Sequence, residues 1–188
     1  MISILSTPHA GSTYLCRLLE ATGLVLGHER PNHNGVCGFP FDEVDHLGWT
    51  ATLDQHPDPI LLMREPLACV RSMATQFREM RLWMQARLGL PDVEPELRTW
   101  MRVWETVNGD TLKKAALVVR VEDLDDPMTG AYERLCHHLR LEPRPELLPF
   151  RKPWMADYPR HPRAISDEQI ITQASGIYPA AAAVWAAS

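Results

Sequence analysis

The first sixteen residues constrain the fold of this chain more than any other segment. Ile2 to Leu5 form a short, β-branched apolar run, which predicts a buried strand over residues 2–6. A loop of small and polar residues follows, and apolar residues then recur at helical spacing up to Gly23, which predicts a helix over 12–22. Free backbone N–H groups and the helix dipole converge at such a corner, so it predicts a phosphate or sulfate site; an ordinary strand–loop–helix corner is the alternative.

The loop lacks the lysine that a nucleotide triphosphate site requires. In ATPases and GTPases this lysine directly follows the second glycine of the loop. Here Ser12 follows Gly11, and the first lysine of the chain is Lys113. The loop therefore argues against a triphosphate bound with magnesium and predicts no metal site. It leaves open an adenosine nucleotide that binds without a metal.

A second buried strand, predicted over 60–64, ends at a cation. Arg64 closes the apolar run, and Glu65 and Pro66 begin a helix predicted over 66–86. Ser72 lies two turns into that helix, where it can face the same groove as Arg64. A guanidinium fork and a hydroxyl suit a phosphate group. The alternative is that Arg64 pairs with Glu65 or Glu122.

The remaining elements alternate in type and indicate an α/β fold. They are a strand at 24–27, an irregular stretch to about 58, a helix at 94–113, a strand at 116–121, a helix at 128–140, a Pro-rich basic segment at 143–163, a helix capped by Ser166, and a terminal helix or frayed tail at 180–187. This order predicts a single domain over 1–188, a doubly wound parallel sheet flanked by helices, with ligands at the carboxyl ends of its strands.

The long 28–58 stretch is predicted to be an acceptor pocket or a lid over one. The candidate pocket residues are Asn32, His33, Asn34, Phe39, Phe41, His46 and Trp49.

Composition narrows the partners and the compartment. The formal net charge of −5 argues against nucleic acid as a partner. No apolar run approaches the length of a membrane span, so no membrane partner is expected. The four cysteines lack metal-ligand spacing, which predicts reduced thiols in a cytoplasmic protein.

Four segments, in this order, resemble the sulfotransferases that use 3′-phosphoadenosine 5′-phosphosulfate (PAPS), in particular small bacterial members. The first, Pro8 to Thr13, is similar to the family loop P-K-S-G-T-T, and Gly27 to Arg30 is similar to a stretch of the bacterial members. Arg64 and Ser72 have the spacing of the second family motif, and Arg120 to Leu124 resembles R-Y-E-D-L. The resemblance implies a P-loop NTPase-like fold.

The resemblance also implies a reaction and its residues. A sulfuryl group would pass from PAPS to a hydroxyl or amine of an acceptor, either a small molecule or a glycan or peptide. The 5′-phosphosulfate would lie against His9, Ala10, Gly11, Ser12 and Thr13, the 3′-phosphate against Arg64 and Ser72, and further donor contacts would come from Arg160 and Arg163.

Glu29 is the first candidate for the base and His28 the second; the alternative for Glu29 is an ion pair with a nearby arginine.

His9 stands where the family has lysine or arginine, so it would supply a catalytic charge only when protonated. The basic segment also lacks the glycine of the family's C-terminal loop. Two other functions therefore stay open: a non-catalytic nucleotide-binding protein of the same fold, and a small-molecule kinase.

Overall fold

The computed structural model describes residues 1–40, 48–75, 78–91, 95–124, 126–150 and 165–188. Its strands are β1 (Ile2–Leu5), β2 (Gly27–His28), β3 (Gly35–Gly38), β4 (Ile60–Met63) and β5 (Leu117–Arg120). Its α-helices are α1 (Ser12–Ala21), α2 (Trp49–Asp54), α3 (Pro66–Met73), α4 (Arg78–Leu88), α5 (Glu96–Leu112), α6 (Val121–Leu124), α7 (Ala131–Leu139), α8 (Asp167–Gln173) and α9 (Tyr178–Ala186). Short 3₁₀ helices cover Pro127–Thr129 and Pro145–Phe150.

The five strands form one parallel sheet in the order β2-β3-β1-β4-β5. The chain leaves β1 toward the β2 edge, and it leaves β4 toward the β5 edge. The direction of winding therefore reverses between β1 and β4, which are neighbours. In open parallel sheets, ligands bind beside the carboxyl ends of the strands at such a switch point.

Helices cover both faces of the sheet. On β1, Ile4 packs with the apolar residues of α1 and α7, whereas Leu5 packs with those of α3 and α5. On β4, Leu62 and Leu61 divide between the same two faces. Because strands buried on both faces need apolar residues at every position, the runs in β1 and β4 are nearly continuous rather than alternating. The predicted α/β class with a doubly wound parallel sheet is confirmed.

Several predicted boundaries differ from those of the structure. The 28–58 stretch is not wholly irregular, because it contains β3 and α2, and the strand predicted at 24–27 is instead β2 at Gly27–His28. The helix predicted over 66–86 is two helices. The first turn after α3 is closed by the Thr75 backbone N–H and hydroxyl, which both donate to Ser72 O, at 3.2 and 2.7 Å. The helix ends at Met73, and the two bonds to Ser72 O form the turn that follows it.

None of the helices in the described ranges combines the length and the apolar sequence needed to cross a membrane.

Candidate functional site

The loop after β1 presents unused backbone donors at the start of α1. Gly11 is the N-cap in a left-handed conformation, φ 92°, and its carbonyl accepts the first helical bond from Leu15 N at 3.0 Å. Ala10 N donates to Thr7 O at 3.3 Å. Within the described part of the chain, the N–H groups of Gly11, Ser12 and Thr13 have no protein acceptor. These three groups form a candidate anion cradle within the 9–13 stretch predicted from sequence.

Gly11 is required for two reasons. Its positive φ is a conformation that L side chains rarely adopt, and a Cβ built on it would lie 2.8 Å from Val121 Cγ2. Val121, the first residue after β5, is buried below the loop. The loop therefore lies directly on the end of β5, and only glycine permits the contact.

Arg64 and Ser72 both contact the same loop residue, His9. The Arg64 Nη1 donates to His9 O at 3.1 Å, and His9 Nδ1 lies 2.8 Å from Ser72 Oγ. The Trp104 indole N–H donates to Arg64 O at 3.0 Å and fixes the backbone at the end of β4. The structure thus brings His9, Arg64 and Ser72 together at the switch point, as the sequence predicted for Arg64 and Ser72.

The pKa of His9 is lowered to about 4, first by burial of the imidazole and second by the positive charge of Arg64. A histidine with this pKa is neutral near pH 7. Arg64 is therefore the cation of this cluster in the free protein, and His9 contributes hydrogen bonding rather than charge.

The two carboxylates that sequence offered as partners of Arg64 bind backbone amides instead. Glu65 caps α3 by accepting from Ala68 N at 2.7 Å, and Glu122 Oε1 accepts from Glu65 N at 3.2 Å. Among the residues the structure describes, no ion pair involves Arg64. Its guanidinium keeps donors for a ligand.

His28, at the end of β2, contacts the cradle from the other side. Its Nε2 lies 3.0 Å from Ser12 Oγ and 3.2 Å from Thr13 Oγ1. Burial lowers the pKa of His28. The hydroxyls of Ser12 and Thr13 therefore share one imidazole nitrogen.

Glu29 has a half-buried carboxyl group with no hydrogen-bond or ion-pair partner among the described residues, so the arginine pair suggested as its alternative is not found there. Burial raises the pKa of this carboxyl. The backbone of Glu29 is left-handed, φ 62°, and is held by its N–H bond to Cys37 O at 2.9 Å.

Gly38 allows Glu29 and the cradle to approach each other closely. A Cβ on Gly38 would lie 3.1 Å from Glu29 Cγ and 3.5 Å from Ser12 Oγ. The candidate base and the cradle hydroxyl therefore both lie against Gly38, and a side chain at this position would crowd them.

Other predicted site residues either fall outside the described residues or make different contacts. Arg160 and Arg163 fall outside the described residues, as do Phe41 and His46. Phe39 and Trp49 are 1% and 4% exposed and stack on each other in the core, so they do not line a pocket. The side-chain amides of Asn32 and Asn34 both donate to Val25 O, and Asn32 Oδ1 accepts from the backbone N–H groups of Asn34 and Gly35.

Sequence reasoning missed Gly38, Val121 and Trp104. The turn residues Asn32 to Gly35 before a short apolar run were a signal for β3, and hence for Gly38. Nothing local marks Val121 or Trp104 as neighbours of the site, because both reach it only through the tertiary fold.

No protein family model and no curated protein matches this chain. In the described portion, no group of three or more His, Cys, Asp or Glu side chains is arranged to hold a metal ion.

Proposed function

We propose that this protein is a cytoplasmic sulfotransferase with a P-loop-like site, transferring a sulfuryl group from PAPS to a hydroxyl or amine of an acceptor. One observation carries the proposal. The cradle N–H groups of 11–13 and the Arg64–His9–Ser72 cluster adjoin at the β1/β4 switch point. A ligand with two separate anionic groups, such as the 5′-phosphosulfate and 3′-phosphate of PAPS, suits this pair of sites.

The chemistry assigns one role to the N–H groups of the cradle and another to Glu29. The acceptor oxygen or nitrogen attacks the sulfur, the bond from sulfur to the phosphate oxygen breaks, and adenosine 3′,5′-bisphosphate leaves. The N–H groups of Gly11, Ser12 and Thr13 stabilise the charge that develops on the departing phosphate. Glu29, which lies close to the cradle at Gly38, takes the acceptor proton; its raised pKa makes it a stronger base than an ordinary carboxylate.

A non-catalytic nucleotide-binding protein is the second candidate, and the state of His9 favours it. A loop residue with a pKa of about 4 does not supply the fixed positive charge of the family lysine near pH 7. In that case donor binding would be retained and transfer would be absent.

Titration calorimetry with adenosine 3′,5′-bisphosphate and with magnesium-ATP tests the proposal. We expect the bisphosphate to bind without added metal and magnesium-ATP to bind much more weakly. Equal or tighter binding of magnesium-ATP would favour a kinase. Bisphosphate binding without transfer to a panel of hydroxyl and amine acceptors would favour the second candidate.

Arg64→Ala identifies which phosphate this arginine contacts. We expect the variant to lose about 1.5–3 kcal/mol of bisphosphate binding and little binding of adenosine 5′-phosphate, because hydrogen bonds to charged groups have this magnitude. Arg71→Ala is the matched control, since Arg71 lies on α3 one residue before Ser72 but pairs with Asp167 and Ile165 O. Equal losses for both nucleotides would mean that Arg64 supports the loop rather than the 3′-phosphate.

A further inference from the structure

One imidazole nitrogen contacts two cradle hydroxyls at once. His28 Nε2 lies 3.0 Å from Ser12 Oγ and 3.2 Å from Thr13 Oγ1, and these are the first two residues of α1. The ring is carried by β2, where His28 pairs with Cys37 of β3. An imidazole nitrogen carries either a lone pair or a hydrogen, so its state decides how both hydroxyls are oriented.

The two states of Nε2 have opposite effects on the cradle. Without a hydrogen, Nε2 accepts from the hydroxyls, so their hydrogens point toward the ring and away from the cradle N–H groups. With a hydrogen, Nε2 donates to the hydroxyl oxygens. The hydrogens of Ser12 and Thr13 are then available for an anion that already accepts from the backbone.

We propose that His28 is a positioning residue that takes up a proton when an anion enters the cradle, and that the imidazolium turns the Ser12 and Thr13 hydroxyls into donors to that anion. The inference rests on the anion cradle of the proposed function but does not depend on sulfuryl transfer. In the free protein, burial lowers the pKa of His28 and favours the neutral ring; we assign its hydrogen to Nδ1, which leaves the Nε2 lone pair to accept from the Ser12 and Thr13 hydroxyls. A bound anion raises that pKa, because it stabilises the nearby positive charge.

Other ionisable groups near His28 need their own controls. The elements packed against β2 carry the ionisable residues Tyr14, Cys16, Arg17 and Glu20 of α1 and Cys37 of β3, and Glu29 follows His28 in the chain. Burial raises the pKa of Glu29, and the hydrogen bond with Cys37 is the main cause of the lowered pKa of Cys16. His9, on the opposite side of the loop, titrates at about pH 4.

Sulfate is the probe, because it is an anion without a nucleoside and it keeps its charge across the pH range in which histidine titrates. Titration calorimetry is run from about pH 5.5 to about pH 8 at constant ionic strength, in buffers of different ionisation enthalpy. We expect wild-type affinity to rise as the pH falls, by up to about tenfold per pH unit between the free and bound pKa values of His28. The measured heat should depend on the buffer, as proton uptake requires.

His28→Gln supplies an amide nitrogen that donates at every pH. We expect its sulfate affinity to vary less than about twofold over the same range, with no buffer dependence, because an amide does not titrate. Glu29→Gln, Cys16→Ser and His9→Gln should each keep the wild-type pH dependence. A merely structural role for His28 would lower affinity equally at every pH.

The outcomes separate this inference from the proposed function. Sulfate binding by the wild type without proton uptake, or a retained pH dependence in His28→Gln, overturns the role of His28 and leaves the proposed function intact. Loss of the pH dependence in one of the three control variants assigns the proton to that group and also overturns the inference. Absence of sulfate binding to the wild type overturns the cradle, and the proposed function with it.

Discussion

The imidazole of His9 contacts the Ser72 hydroxyl, its backbone carbonyl accepts from Arg64, and burial together with the Arg64 charge controls its protonation. Burial and the Arg64 charge both favour the neutral ring, so the positive charge of the cluster is on the end of β4 rather than in the loop. From sequence, His9 is expected to supply a charge only when protonated; the burial that lowers its pKa comes from tertiary packing, which local spacing does not encode.

Neutral His9 predicts a pH-dependent stability. Its pKa is about 4 in the folded protein and close to the ordinary 6.5 when unfolded. Between these values the unfolded state binds more protons, so the free energy of unfolding falls as the pH drops from about 6.5 toward about 4. His9→Gln should reduce this loss by about 2 kcal/mol, measured by urea denaturation in the absence of ligand.

The control for this comparison is His33→Gln, at an exposed histidine. The control should follow the wild-type pH dependence. An acid-induced loss of the same size in His9→Gln and wild type would assign the protons to other groups.

The role of Glu29 as the base predicts a lower kcat in its variant and a loss of wild-type activity at low pH. Glu29→Gln should lower kcat by about 10²–10⁴-fold, the usual contribution of a general base, with little change in bisphosphate affinity. Because the base must be deprotonated, activity should fall as the pH drops through the raised pKa of Glu29, and this limb should vanish in the variant. Steady-state pH profiles test both points, and Glu20→Gln on the exposed face of α1 is the control. Full activity in Glu29→Gln would exclude it as the base.

At the scale of elements, the sequence predicted those with strong and continuous patterns. The apolar runs of β1 and β4 and the helical period of α1 and α5 placed these elements within one or two residues. The hydrophobic pattern did not predict β3, because two of its four residues are glycines, which have no side chain to show a period. It also failed at the α3–α4 break, because neither Gly nor Pro marks the end of α3 in the sequence.

The contact between the loop before α1 and the end of β5 predicts that a side chain at Gly11 lowers the stability of the fold, in part through its contact with Val121. Gly11→Ala should destabilise the fold by about 2–4 kcal/mol, because positive φ and an overpacked contact each cost about 1–2 kcal/mol or more. Gly23→Ala is a matched control, since Gly23 has the same φ of 92° and nothing within 4 Å of its Cβ. Gly23→Ala should lower the free energy of unfolding only by the cost of the positive φ.

A double-mutant cycle with Val121→Ala separates the two parts of this cost. Removing the Val121 methyl groups relieves the 2.8 Å contact, so the pair should be coupled by about 1 kcal/mol or more. Urea denaturation of the four proteins gives the coupling. Additive effects, or equal costs for Gly11→Ala and Gly23→Ala, would show that the loop does not rest on Val121.

At the scale of the whole molecule, Arg120 connects the sheet to the last helix. Its guanidinium donates to Trp185 O at 2.6 Å and Ser188 O at 2.9 Å, and it lies 4.3 Å from the Trp185 ring centroid. The resemblance to R-Y-E-D-L identified Arg120 from sequence but not its contacts. Trp185 and Ser188, which it contacts, lie 65 and 68 residues further along the chain. No local pattern encodes such a pairing.

Arg120→Met should therefore affect stability and leave the anion site unchanged. We expect a loss of about 2–3 kcal/mol in the free energy of unfolding, from two carbonyl hydrogen bonds and a cation–π contact, with sulfate affinity within about twofold of wild type. Lys113→Met, at an exposed ion pair with Asp110, is the control and should change stability by about 0.5 kcal/mol at most. A large loss of sulfate affinity at normal stability would place Arg120 in the anion site.

The central position of β1 also determines how the chain folds during synthesis. β1 leaves the ribosome before both of the strands that it pairs with, β3 and β4, and β4 ends at Met63. At about 5–20 residues per second, Ile2–Leu5 waits roughly 3–12 s for its second neighbour, and longer for α5 to cover one face. An apolar segment exposed for this time is a binding site for nascent-chain chaperones, so yield in cells should depend on them more than the stability of the finished protein does.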